Sequence, residues 1–303
     1  MSANSVHQRA AGPEKSRPAF ARVLTALIKE RLALCGLIML AIFILLALLA
    51  PIISPQNPYD LMQLDIMDGR LPPGSGGLSG ITYWLGTDDQ GRDLFSAILY
   101  GTRISLLVGF SSAVVALLIG ASLGLISAYA GGKTDAVVMR IVDIQLSFPP
   151  ILIALILLAV LGQGVDKIIL ALVVTQWAYY ARTIRGSALV ERRRSYVDAA
   201  RSMALSNRRI LFCHILPNCL APLIVVATMR IAYAIMLEAT LSFLGIGLPV
   251  TEPSLGLLIA NGFEYLMSGD YWISFFPGMT LLLLIVAINL VGDALRDILN
   301  PRN

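Results

Sequence analysis

From Leu32 to Ile53 the chain runs for 22 residues without a charged side chain, and from Ile104 to Ala130 it does so for 27. About 20 apolar residues in a helix cross the hydrocarbon of a bilayer. In that medium every backbone N–H and C=O must be paired inside the segment, so a helix is the form such a run takes. The runs dictate an all-α membrane protein. The totals agree: of 303 residues, 57% are hydrophobic and 14% charged, where soluble domains carry about 25% charged residues.

Four further stretches complete a reading of six transmembrane helices. Ile144–Leu161 is interrupted by Phe148-Pro149-Pro150, and Ile168–Ala181 is short, 14 residues between Lys167 and Arg182. Ile215–Val250 is apolar apart from Arg230 and Glu238, and Trp272–Gly292 is the last. Residues 1–31 read as a polar, basic and mostly disordered tail that turns helical near Val23, and 32–53 as an uncleaved first helix. Its run is too long for the core of a cleavable signal, and no small-residue cleavage site follows. Residues 54–103 read as a loop rich in turn residues, centred on Pro72-Pro73-Gly74, ahead of a five-helix core at 104–303. Pro249–Tyr271 reads as a loop, and the chain from Asp293 onward as a short amphipathic tail. Within the second run, Gly120-x-x-x-Gly124 is a small-residue pair that lets helices approach closely.

Six spans put both termini on one side, and charge says which. The segments on the side of the N-terminus hold 18 of the lysines and arginines against 4 in the opposite loops. Such a bias places the tails and the 182–217 insert in the cytoplasm. It also assigns the net charge of +4 to orientation and not to nucleic acid.

That insert, Arg182 to Pro217, is cationic in an otherwise oily chain. Ser195 and Asp198 have the spacing of a capping box, with Asp for the usual Glu or Gln, and would start a helix of about three turns. Ser206 would cap a second short helix ending near Leu216-Pro217. Arg194, Arg201 and Arg208 are seven apart and would share one side of an unbroken helix, with Val197, Ala200 and Ala204 on another. A helical hairpin that is small and apolar on one face and basic on the other suits a groove of a soluble partner.

Other motifs carry less. Gly131-Gly132-Lys133-Thr134 lacks the upstream glycine and strand of a phosphate-binding loop and reads as a turn between spans. Arg230 and Glu238 are the charges deep in an apolar stretch, where each costs about 2.5–3.5 kcal/mol to insert. Eight positions apart, they are roughly 80° apart around a helix, so they do not pair directly. They either face a wet translocation path, or pair with other helices or sit near an interface. His214 has no ligand-spaced companion, and Cys35, Cys213 and Cys219 have neither metal spacing nor a disulfide partner, so no metal site is expected. No nucleophile elbow, metal-binding helix or dinucleotide loop appears, and the chain reads as non-catalytic.

Three stretches together resemble the permease subunits of bacterial ABC importers of the dipeptide/oligopeptide/nickel class. The first is Leu85-Gly-Thr-Asp88-Asp89-Gln90-Gly91-Arg92-Asp93-Leu-Phe-Ser96, continuing through Tyr100-Gly101-Thr-Arg103-Ile-Ser105-Leu106. The second is the insert, which is similar to the family's EAA loop: E-A-A, three residues, G, nine residues, I-x-L-P. Asp198-Ala199-Ala200 and Leu216-Pro217 match, with Ala204 in the glycine position and His214 in that of the isoleucine. Alanine there favours a straighter helix than glycine would. The third is Ala239-Thr-Leu-Ser242-Phe243-Leu244-Gly245-Ile-Gly247 with Pro253-Ser254-Leu255-Gly256, where Leu255 replaces the family's usual Trp, and Asn289–Asp297 closes the likeness.

The resemblance implies a type I ABC importer permease fold, with a coupling-helix hairpin between the fourth and fifth spans. Asp198, Ala199, Ala200, Arg201, Ala204, Leu216 and Pro217 would couple to an ATPase, and Arg230 and Glu238 are the candidates for the path. The implied partners are a second homologous permease, two cytoplasmic ATPases that bind the ATP, a periplasmic solute-binding protein and membrane lipid. No cofactor is implied in this chain. The place would be the bacterial inner membrane, multi-pass, with both termini cytoplasmic. Peptides are the favoured cargo because the class holds mostly peptide systems, with nickel or another small solute as the alternative. A secondary transporter, the reading from another class, would show ionisable residues on several spans, and here they sit on one. A membrane-embedded hydrolase would need a Ser–His or Asp–Asp pair within the spans.

Overall fold

The computed structural model describes residues 25–78, 80–249 and 251–299; the tail expected to be disordered up to residue 24 lies outside the described residues. Nine helices of eight residues or more, counted among the described residues, form the molecule. They are α1 (Arg31–Ile53), α2 (Leu94–Ala130), α3 (Gly132–Ser147), α4 (Pro150–Leu161) and α5 (Val165–Glu191). After them come α6 (Ser195–Ser202), α7 (Asn207–Phe243, with a π-helical stretch at Ile210–Ile215), α8 (Leu255–Tyr265) and α9 (Trp272–Leu299). Four of them, α1, α2, α7 and α9, are long and apolar enough to cross a membrane, and α3 with α4 would make a fifth if that bent pair is one span.

Several boundaries differ from the sequence reading, each for a local reason. α2 starts ten residues before the uncharged run because Asp93 caps it, its carboxylate accepting from the Ser96 N–H at 2.9 Å. Arg103 therefore lies inside a helix, not in a loop. The Phe148-Pro149-Pro150 interruption is a 90° bend between α3 and α4, with the chain extended at Pro149. Past Ala181, α5 runs without a break to Glu191, so the first ten residues of the cationic insert belong to a straight helix. The segment read as a loop from Pro249 to Tyr271 contains α8, whose Ser254 hydroxyl accepts from the Leu257 N–H at 3.1 Å. The final amphipathic tail is, as far as Leu299, the last part of α9, and residues 300–303 lie outside the described residues.

Pro217 does not end a helix either. The π turn before it lets Leu216 N–H reach back five residues to Leu211 C=O, and the widened turn accommodates a residue with no N–H to donate. Helix α7 therefore joins the Arg-rich segment to the middle of the bundle as one element.

The core is built where α2 and α5 meet. Gly120 and Gly124 face α5 so closely that a methyl at Gly120 would lie 2.3 Å from the Trp177 carbonyl oxygen, and one at Gly124 2.2 Å from that of Ala181. Around this seam Ala116, Leu125, Tyr180, Ile184, Cys219 and Leu223 pack α2, α5 and α7 into one cluster. A second cluster joins Val108 of α2, Ala154 and Leu158 of α4, Leu172 of α5 and Leu237 of α7.

Candidate functional site

Three groups of polar residues stand out against this apolar frame. The first is the Arg-rich segment between α5 and α7. Its arginines divide into two sets. Arg185 grips Asp135 of α3 with two hydrogen bonds of 2.5 and 2.6 Å, and Arg182 pairs with Asp143 of the same helix. Arg192 donates to the Ala128 carbonyl at 2.9 Å and lies over the Tyr129 ring. These paired residues tie the end of α5 to α2 and α3. Arg193, Arg208 and Arg209 are exposed, with no carboxylate in ion-pair range among the described residues.

Helix α6 between them is two turns long, not three. Its N-cap is Arg194 and no side chain caps it, so the Ser195–Asp198 box does not form; Asp198 instead pairs loosely with Arg201 at 3.3 Å. Val197 and Ala200 are buried against Ile210, Leu211 and Ile215, while Asp198, Ala199 and Arg201 face outward. Ser206 does occupy the N-cap position of α7, without a side-chain bond. Leu216 packs onto the same cluster and Pro217 is exposed.

Ala204 breaks the helix that was expected to run straighter through it. It adopts φ +56°, Leu205 N–H bonds Ala200 C=O and Ala204 N–H bonds Arg201 C=O. That pair of bonds is a Schellman stop, usually built on glycine at this left-handed position. The turn therefore has the shape a glycine would give it, held by an alanine at a cost of about 1–2 kcal/mol. The break also separates Arg194, Arg201 and Arg208, which do not share one helix face.

The second group lies on α7. Arg230, near the midpoint of the helix, is partly exposed, with its guanidinium carbon 3.4 Å from the centre of the Tyr179 ring of α5 and 5.4 Å from that of Tyr233. Glu238 is fully buried. It accepts from Ser242 Oγ at 2.8 Å and from Ser105 Oγ of α2 at 3.2 Å, and the Ser254 hydroxyl at the start of α8 also faces it. The two charges do not pair. Within this chain Glu238 fastens α2, α7 and α8, and Arg230 is the one of the two with an open side.

The third group was visible in the sequence only as a motif. In the α1–α2 loop and the first turn of α2, Thr87, Asp88, Arg92, Asp93 and Ser96 are each 0–1% exposed. Asp88 accepts from the backbone N–H of Gln90 and of Arg92 and pairs with Arg92 Nε at 3.0 Å. Gln56 crosses to accept the Asp93 N–H at 2.7 Å, and Thr87 bridges Leu71 N–H and Asp68 C=O. The Asp-x-x-Ser spacing of Asp93 and Ser96 was a readable capping signal. The partners Gln56 and Asp68 lie far along the chain and carried none. His214, in the π turn, has no metal ligands around it among the described residues.

Comparison with known proteins points to one family. The model of the binding-protein-dependent transport system inner membrane component matches residues 116–303, and that of the N-terminal TM domain of oligopeptide transport permease C matches 19–73. A putative peptide transport system permease protein of Brucella suis biovar 1 is 43% identical over 282 residues, 92% of each chain. The dipeptide transport system permease protein DppC of Haemophilus influenzae is 39% identical over 274 residues, 90% of this chain and 92% of that one. The oligopeptide transport system permease protein OppC of Bacillus subtilis is 37% identical, over 90% of this chain and 86% of that one. Among solved structures, an inward-facing MetNI methionine ABC transporter chain aligns with TM-score 0.57 at 22% identity, over 68% of this chain and 98% of that one. The chain is a member of the family of binding-protein-dependent transport system inner membrane components.

Proposed function

We propose that the chain is a permease subunit of an ATP-driven peptide importer in the bacterial inner membrane, with both termini cytoplasmic. The observation that carries this reading is the Arg-rich segment: a small helix with Val197 and Ala200 fixed to the bundle and Asp198, Ala199 and Arg201 turned outward. A rigid projection with an exposed polar face is what a cytoplasmic ATPase can grip. Because α6 is joined directly to α5 and α7, a displacement of the projection is delivered to both helices. The names of relatives at 37–43% identity support peptides as cargo.

Helix α5 is the fourth of the six spans in this reading. It is less apolar than the others because it is wrapped by them: Ile168, Ala171, Leu172 and Tyr180 are fully buried. The path forms against a second homologous permease, two ATPases hold the α6 projections and bind the ATP, and a solute-binding protein delivers cargo to the α1–α2 loop side. Alternating access follows from rocking of the packed bundles. Asp198→Lys, or deletion of Ser195–Ser206, is the test, in proteoliposomes carrying the whole complex. Uptake of a labelled dipeptide and the ATP hydrolysis coupled to it fall about tenfold or more while the protein still inserts. Uptake at the wild-type rate in either variant, or uptake without ATP, overturns the proposal.

A further inference from the structure

We infer that Arg230 is a recognition point for the terminal carboxylate of the peptide in transit, held in position by Tyr179 and Tyr233. The inference rests on the peptide-importer reading and adds to it the chemical group this side chain selects.

Arg230 lies near the middle of a 37-residue apolar helix, where an arginine turned toward lipid is costly. It has no carboxylate within ion-pair distance among the described residues; Glu238, the other charge in the apolar stretch 215–250, is satisfied by Ser242 and Ser105. What holds Arg230 is aromatic. The centre of the Tyr179 ring lies 3.4 Å from the guanidinium carbon, and Tyr233, one turn along α7, adds a second ring at 5.4 Å. Rings stabilise the cation without consuming its N–H donors, which leaves the planar fork free to receive an anion. The hydroxyl of Tyr180, beside Tyr179, is buried without a hydrogen-bond partner and lies within electrostatic range of Arg230. The site therefore combines a fixed cation, a half-open side and flanking phenols. A carboxylate fits this fork bidentately, and every linear peptide with a free C-terminus carries one whatever its side chains. A site that reads this group accepts many sequences.

The test compares a dipeptide with its C-terminal amide in proteoliposomes holding the complete complex with its binding protein. The binding protein is the same for every variant, so a change in the acid-to-amide uptake ratio belongs to the permease. Wild type carries the acid faster than the amide. Arg230→Gln lowers acid uptake about tenfold, the worth of a charge-assisted hydrogen bond, and leaves amide uptake unchanged. Arg230→Lys recovers part of the ratio. Binding-protein-stimulated ATP hydrolysis in each variant reports assembly. A wild-type complex with no preference for the acid overturns the inference. So does an Arg230→Gln complex that is unassembled, that keeps the wild-type ratio, or that loses acid and amide uptake equally, each of which makes the residue structural. A wild-type complex that carries neither peptide overturns the peptide reading itself.

Discussion

The α1–α2 loop and the Arg-rich segment between α5 and α7 are both polar inserts in an oily chain, and they treat their charges in opposite ways. In the first, Asp88, Arg92 and Asp93 are sealed inside the fold and paired with one another, with backbone or with Gln56. In the second, Arg193, Arg208 and Arg209 stand exposed, and the α6 face bearing Asp198 is exposed as well. A closed network commits its charges to holding one shape. An open one keeps its donors for another molecule. The loop thus turns its charges inward, and the Arg-rich segment turns part of its own outward.

The contrast is broken most directly by removing one partner of the buried pair. Arg92→Met leaves Asp88 buried without its counter-ion, and thermal unfolding in detergent should show a loss of about 3–5 kcal/mol. Arg193→Ala, in the open segment, should stay within about 0.5 kcal/mol of wild type; equal losses would erase the distinction. Glycines sharpen it next. A methyl at Gly91, at φ +76°, would fall 2.0 Å from the Asp65 carbonyl oxygen, whereas at Gly132, at φ +54°, it would meet nothing within 4 Å. Gly91→Ala should cost roughly 3 kcal/mol or more in the same measurement, and Gly132→Ala about 1 kcal/mol, the price of the left-handed backbone alone.

Ala204→Gly should stabilise the Arg-rich turn by about 0.5–1 kcal/mol, the strain relieved less the added freedom of the unfolded chain; a destabilised variant would show that the left-handed turn is not what Ala204 supports. The smallest effect concerns Tyr196, which donates to Glu191 at 2.7 Å and accepts from Asn218 at 3.1 Å. Burial, and then the bond to Glu191, push its hydroxyl up to about 12 from the usual 10.0. A phenol whose folded value is raised contributes stability that is complete below about 10 and is lost as pH climbs toward 12. Tyr196→Phe should therefore lose about 1 kcal/mol at neutral pH and show a flatter decline over that window. An unchanged slope would rule out the contribution.

Legibility followed the range of the interaction. The runs at 32–53, 104–130 and 272–292 announce their helices because one property, sustained over about 20 residues, decides them. The Gly120–Gly124 spacing announces a close approach, though not its mate. Helix α8 went unread because two prolines and a glycine ahead of it look like a loop, although Ser254 three residues before Leu257 was a cap in plain view. The continuity of α7 through Pro217 was illegible, since a π turn has no residue signature. At the candidate site Tyr233 sits at helical spacing from Arg230 and could have been found. Tyr179 is 51 positions away on another helix, and only folding brings it near.

The glycine seam between α2 and α5 has a mechanical consequence. At Gly120 and Gly124 the backbone of α2 comes so near the carbonyls of α5 that little room is left for one rod to glide along the other. Shifting the register by a single residue would drive a β-carbon into a carbonyl oxygen. These two helices must therefore travel together as a single plank, and whatever bending a transport cycle requires is left to joints elsewhere, such as the 90° proline elbow between α3 and α4.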